Sequence, residues 1–143
     1  MNARDAQYRL KVAQGFLEES RQDTGIQRWR SAVDNAQLAT ENAAKAVLAV
    51  VVPLGKTHNP APLLRRAMKD NLFTEDFRPF VEQLAVLSET LGFDIHVQTD
   101  YGDEIEGLTP WEIFEEEDAQ QALLTAEGAL NLAAKILRGL LEN

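Results

Sequence analysis

Apolar residues recur along this chain at helical spacing, and the recurrence predicts five helices. Residues 3–21 carry Leu10, Ala13, Phe16 and Leu17 three and four apart or adjacent, which makes one buried face. Asp23-Thr24-Gly25 is expected to break that helix, and Thr24 through Gln27 reads as a capping box for the next one. Across residues 26–52, Trp29, Val33, Ala36, Ala43, Val47 and Val50 hold the helical step, with Thr40 as the polar exception. Ala32, Ala39 and Ala46 widen the stripe, and such small side chains let another helix approach closely, including a copy of this one in a dimer. Pro53 and Gly55 end the helix.

A short third helix is expected after Asn59-Pro60, with Asn59 as its cap and Leu63, Leu64, Ala67 and Met68 facing inward. Thr74 reads as the cap of a fourth helix through residue 91, built on Phe77, Phe80, Val81, Leu84 and Leu87. Pro79 is tolerated there because it lies in the first turns. Residues 92–108 alternate at Phe93, Ile95 and Val97, but a lone strand has no partner, so the segment reads as an irregular connection. Thr109-Pro110-Trp111-Glu112 is a second capping box. The acidic run from Glu115 to Asp118 complements a helix N-terminus. The last helix then runs to residue 141 on Ala119, Leu123, Ala126, Leu130, Ala133, Leu137 and Leu140. The fold class expected is all-α, an up-and-down helical bundle in a single domain over residues 1–143.

Composition removes whole classes of chemistry. With no cysteine, disulfides, thiolate metal sites and cysteine nucleophiles are excluded. A net charge of −9 argues against broad nucleic-acid binding, which relies on clustered Lys and Arg. Arg28, Arg30, Arg65, Arg66 and Lys69 are the candidates for a local basic patch. The longest apolar run, residues 46–54, is too short to cross a bilayer, and the polar N-terminus lacks a signal-peptide core. These features lead us to expect a cytoplasmic protein without a membrane partner.

The residues Gln37, Ala39, Glu41, Ala43, Lys45 and Ala46, followed by Thr57-His58, resemble the HEPN domain family (higher eukaryotes and prokaryotes nucleotide-binding), in its prokaryotic stand-alone form. Asn42 and Asn59 stand where the family often has Lys and Asp. Asp100-Tyr101-Gly102-Asp103 stands where an Arg-Tyr-Pro-Asp-like stretch is common. The resemblance implies a helical bundle that forms a homodimer. It also implies a role as an accessory or interaction protein that binds a nucleotide or a nucleotidyltransferase-like partner. Some members resemble metal-independent ribonucleases, including toxins of toxin–antitoxin pairs, which place an Arg one to two turns before a His. The corresponding positions hold Val51, Val52 and Pro53 before His58, and Glu89, Thr90 and Leu91 before His96, so that motif is absent.

Five residues are candidates for ligand binding: Glu41, Lys45, His58, Tyr101 and Asp103, in a cleft between the second helix, the third helix and residues 92–108. Glu41 and Lys45 are four apart in the favourable order, either as a surface ion pair or as a polar site in which Lys45 meets a phosphate. His58 either fixes its turn, contacts a ligand at a pocket mouth, or ligates a metal, although no second His or Cys has ligand spacing. His96 lies among Asp94, Asp100, Asp103 and Glu104, a solvated acidic loop that lacks calcium-loop spacing. Trp29 and Trp111 read as core or interface aromatics. No catalytic residue, cofactor or metal is assigned. The alternative function is a ribonuclease with a non-standard site, with His58 or His96 as base and Arg65 or Arg66 on the phosphate.

Overall fold

Nearly every side chain over residues 36–50 is buried, although these positions face all sides of one helix, and the rest of the molecule is arranged around it. The computed structural model describes residues 2–142. Its central helix, α2 (Trp29–Val51), follows α1 (Ala3–Gly25) and packs most extensively against it. The chain continues through α3 (Ala61–Lys69), α4 (Arg78–Thr90), α5 (Phe93–Tyr101), the single turn α6 (Pro110–Ile113) and the long α7 (Glu116–Leu141). Helix α7 covers a second side of α2, and α4 lies against α7. Among the described residues the only β feature is one isolated bridge, Asp103 to Leu108. The all-α bundle expected from periodicity is therefore the fold.

The alanine stripe explains the close packing. Ala32, Ala36, Ala39, Ala43, Ala44 and Ala46 are all fully buried within the chain. They do not form a free face for a second copy, because α1 and α7 already cover α2. Small side chains at these positions let the backbones approach, and the buried Ser20 hydroxyl donates to the Ala32 carbonyl at 2.8 Å across the α1–α2 contact. Thr40, the polar exception, returns its hydroxyl to the Ala36 carbonyl of its own helix at 2.9 Å.

Several local expectations are corrected. Asp23-Thr24-Gly25 does not break α1, because the Thr24 hydroxyl bonds back to the Ser20 carbonyl and the helix continues to Gly25. Thr24 is therefore not a cap for α2. The chain instead reverses through Gln27 at φ +64°, and the Asp23 carboxylate ties the reversal to α2 by accepting from Ser31 and Asn35. Asn59 does not cap α3. Pro60 holds that position, and the Asn59 backbone N–H donates to the Thr57 hydroxyl. Leu63 is exposed while Leu64, Ala67 and Met68 are buried. Helix α4 starts at Arg78 rather than at Thr74, whose carbonyl closes a preceding turn by accepting from the Phe77 N–H.

Residues 92–108 are not irregular throughout, since α5 occupies the first half. Its β-branched and aromatic residues have poor helix propensity and alternate like a strand, so tertiary contacts decide its form. Thr99 is fully buried; its hydroxyl donates to the His96 carbonyl of its own helix at 2.7 Å and lies 3.2 Å from the Asp34 carboxylate, and its carbonyl accepts from Arg30 at 2.8 Å. After α5 the chain turns at Gly102, φ +70°, where a Cβ would run into the Leu108 carbonyl. The Thr109–Glu112 capping box is present, with Glu112 accepting from the Thr109 N–H at 3.2 Å and from its hydroxyl at 2.9 Å. Helix α7 has its own box, in which the Glu115 N–H donates to Asp118 at 2.9 Å. No helix among the described residues is long and apolar enough to cross a membrane.

Candidate functional site

Asp34, Gln37, Glu41 and Lys45 follow one another along α2 at helical spacing, so one long polar row runs along the helix beside its apolar stripe. Glu41 is 4% exposed and Lys45 8%, and their side chains meet at 3.0 Å. This pair is thus inside the protein rather than on its surface. A charge pair sheltered from water is costly to form and is held by its own attraction, so each partner fixes the other.

His58 reaches this pair from the loop after α2. Its Nδ1 lies 3.6 Å from Oε2 of Glu41, the same oxygen that meets Lys45, while most of its ring faces solvent. His96 comes from α5 and stacks on His58, with ring centroids 5.9 Å apart and planes 12° apart. Asp34 and Asp100 flank His96 at 3.9 and 4.0 Å. Three buried atoms along this seam have no hydrogen-bond partner: Oε1 of Gln37, Oε1 of Glu41 and Nδ1 of His96. Buried polar atoms are seldom left so.

Beside the seam opens a pocket of about 240 Å³ lined by Arg9, Lys45, Gly55, Lys56, Thr57 and His58. Arg9 belongs to α1 and is oriented by Asp5, whose carboxylate lies 3.2 Å from its Nε. Three elements therefore bring cationic groups to one concavity of an acidic chain.

The structure brings Glu41, Lys45 and His58 together, and it places Tyr101 and Asp103 elsewhere. Those two line a separate pocket of about 500 Å³ with Val97, Gln98, Gly102, Glu104 and Ile105. The cleft expected to hold all five is therefore two pockets. The candidate basic patch is also divided. Arg28 and Arg30 line a third cavity of about 510 Å³ with Trp29, Trp111 and Phe114, and the Arg30 guanidinium lies 5.6 Å from the Trp111 ring centroid. Trp111 is strongly exposed, so it is no core residue. Arg66 pairs with Asp70, while Arg65 is forked between Glu89 and Glu82. Those carboxylates, Glu89 first, hold the Arg65 guanidinium above its usual range, and Arg65 in turn holds Glu89 below the ordinary carboxylate range. Among the described residues no group of three or more His, Cys, Asp or Glu is arranged to hold a metal ion.

The family model for the HEPN domain matches residues 6–137, nearly the whole of this bundle. The chain belongs to the HEPN domain family. No curated protein matches it. The crystal structure of TT1696 from Thermus thermophilus is similar over 95% of this chain and 99% of that one, with a TM-score of 0.68 and 20% identity. A likeness at that identity is one of fold. Within this HEPN domain, sequence spacing pointed to the Glu41–Lys45 pair because both lie on one helix. It missed Lys56, in the loop beside His58, and Arg9 and the place of His96, which meet the pair only through the packing of α1 and α5 around α2. For Lys56 the neighbouring Thr57-His58 was a usable signal; for Arg9 there was none.

Proposed function

We propose that this HEPN-domain protein is an accessory module that binds a nucleotide, with the phosphates held in the pocket of Arg9, Lys45, Lys56 and His58. One observation carries the reading: these four side chains converge on one concavity in a chain of net charge −9. Cationic groups in a recess focus potential on an anion, and charge-assisted hydrogen bonds to phosphate oxygens are among the stronger polar contacts. Glu41 orients Lys45 and His58 from below. Titration calorimetry with ATP and AMP tests this. Binding is expected for the unmodified protein and roughly tenfold weaker binding for Lys56→Gln, the loss of one charge-assisted bond. No heat with either nucleotide would overturn the reading.

The homodimer and a nucleotidyltransferase-like partner belong to the same proposal and rest on family membership. Since α2 is covered within the chain, a dimer would use another face. Light scattering of the purified protein tests the dimer, and a monomeric mass at all concentrations removes it.

The stacked His58 and His96 favour a second reading, RNA cleavage at a non-standard site of the toxin–antitoxin kind. Two imidazoles side by side supply an acid and a base, and Glu41 and Asp34 stand behind them. Arg65 and Arg66 are held by Glu82, Glu89 and Asp70, so Lys45 or Lys56 takes the phosphate instead. Cleavage of a mixed RNA substrate that disappears in both His58→Ala and His96→Ala supports this reading; cleavage unchanged in either, or none at all, rules it out.

A further inference from the structure

We infer that the outer face of α5 and the turn after it form a docking surface for a basic segment of another protein. This inference does not depend on the phosphate pocket. Helix α5 turns Ile95, His96 and Thr99 toward the bundle, and Phe93, Val97 and Tyr101, each four apart, toward solvent. Those three are between 36% and 65% exposed, and Ile105 beyond them is 96% exposed. Val97, Tyr101 and Ile105 share the walls of the pocket of about 500 Å³, so the apolar stripe is concave at its centre. Single exposed apolar residues are ordinary, but a run along one helix face leading into a pocket is what an interaction site looks like.

The rim identifies the partner by its charge. Asp94, Asp100, Asp103, Glu104 and Glu106 border the stripe, and the chain has no Lys or Arg anywhere from residue 79 to residue 134. Asp103 is positioned rather than loose, since one oxygen accepts the Glu106 N–H at 3.1 Å and its backbone pairs with Leu108. RNA, DNA and anionic bilayers are repelled by such a rim. A second copy is disfavoured as well, because a two-fold interface places the same patch on both sides and sets acidic rim against acidic rim. What fits is a segment with an aliphatic or aromatic side chain between Lys or Arg residues. Its apolar group enters between Tyr101 and Ile105, and its cations meet Asp103 and Glu104 at the wet edge, where they steer association and set its salt dependence.

The test uses the full chain, isotope-labelled for NMR, and a short amphipathic peptide of leucine and lysine, with a leucine–glutamate peptide as control. The expected result is shifts of amide signals confined to residues 93–108, a response to the lysine peptide alone, and weakening by added salt. Binding should fall at least tenfold in Ile105→Ser and in the double variant Asp103→Asn, Glu104→Gln. It should be unchanged in Glu117→Gln, which alters the acidic start of α7 outside the stripe. Amide spectra of each variant verify that the fold is kept. Shifts centred on residues 115–118, equal response to the glutamate peptide, or no shift overturn the inference. So does a concentration-dependent dimer that Ile105→Ser dissociates, which would assign the stripe to a second copy.

Discussion

Lys45 shows what a single residue means in two settings. Read from spacing, it is one half of an i,i+4 pair, worth little if exposed. In the fold it is nearly buried beside an equally buried carboxylate, and removing either partner strands a charge. Lys45→Met is therefore expected to cost about 3 kcal/mol of unfolding free energy. The double variant Glu41→Leu, Lys45→Met should recover most of it, because the pair is replaced by packing. Urea denaturation of the two variants checks this, and a double variant no more stable than the single one would contradict it. Gly102 is a second case. Its φ of +70° and the Leu108 carbonyl facing its missing Cβ make Gly102→Ala destabilising by about 2 kcal/mol, read as a lowered thermal midpoint. The positional demand at Gly102 was not readable in the chain, because it comes from the Leu108 carbonyl, which meets it only through the turn.

Elements with strong periodicity or a complete cap were legible, and those formed by tertiary contact were not. Helices α2 and α7 follow from long apolar stripes, and the Thr109–Glu112 box was legible as a cap, although it opens the separate turn α6 rather than the last helix. The box also makes a pH prediction. Hydrogen bonds from the Thr109 backbone first, and then its hydroxyl, hold the Glu112 carboxyl below its ordinary value. A group lowered in the folded state contributes stability that is complete above its unfolded value and is lost as pH falls through the folded one. Stability should thus decline on acidification across that window, and Glu112→Gln should remove its share of the decline. Denaturant midpoints over a pH series measure both. Helix α5 escaped because its residues alternate like a strand without a partner and so read as an irregular connection; the contacts of Thr99 with Asp34 and Arg30 hold it on α2. Its outer stripe escaped for the same reason, since a face can be read only once the period is known.

At the scale of the molecule, α2 is the axis and its alanines set how tightly α1 and α7 close on it. Ala43→Leu should overpack this contact and cost about 2 kcal/mol, visible as a lower denaturation midpoint with an unchanged slope. Tight closure is also what brings Arg9 of α1 to Lys45, Lys56 and His58 of α2 and its following loop in one pocket. The same closure gives the charge of −9 a geography: cations in that recess, and a run of carboxylates beside the apolar stripe of α5. From the chain alone, the period of its apolar residues determined a helical bundle, and the helix-two residues with Thr57-His58 pointed to the HEPN family, because both are local properties of spacing and order. Only the tertiary structure decided that Glu41 and Lys45 are inside, that His96 stacks on His58, and that Tyr101 and Asp103 belong to another pocket. Those are facts of which helix faces meet, and helical period does not encode the partner of a face.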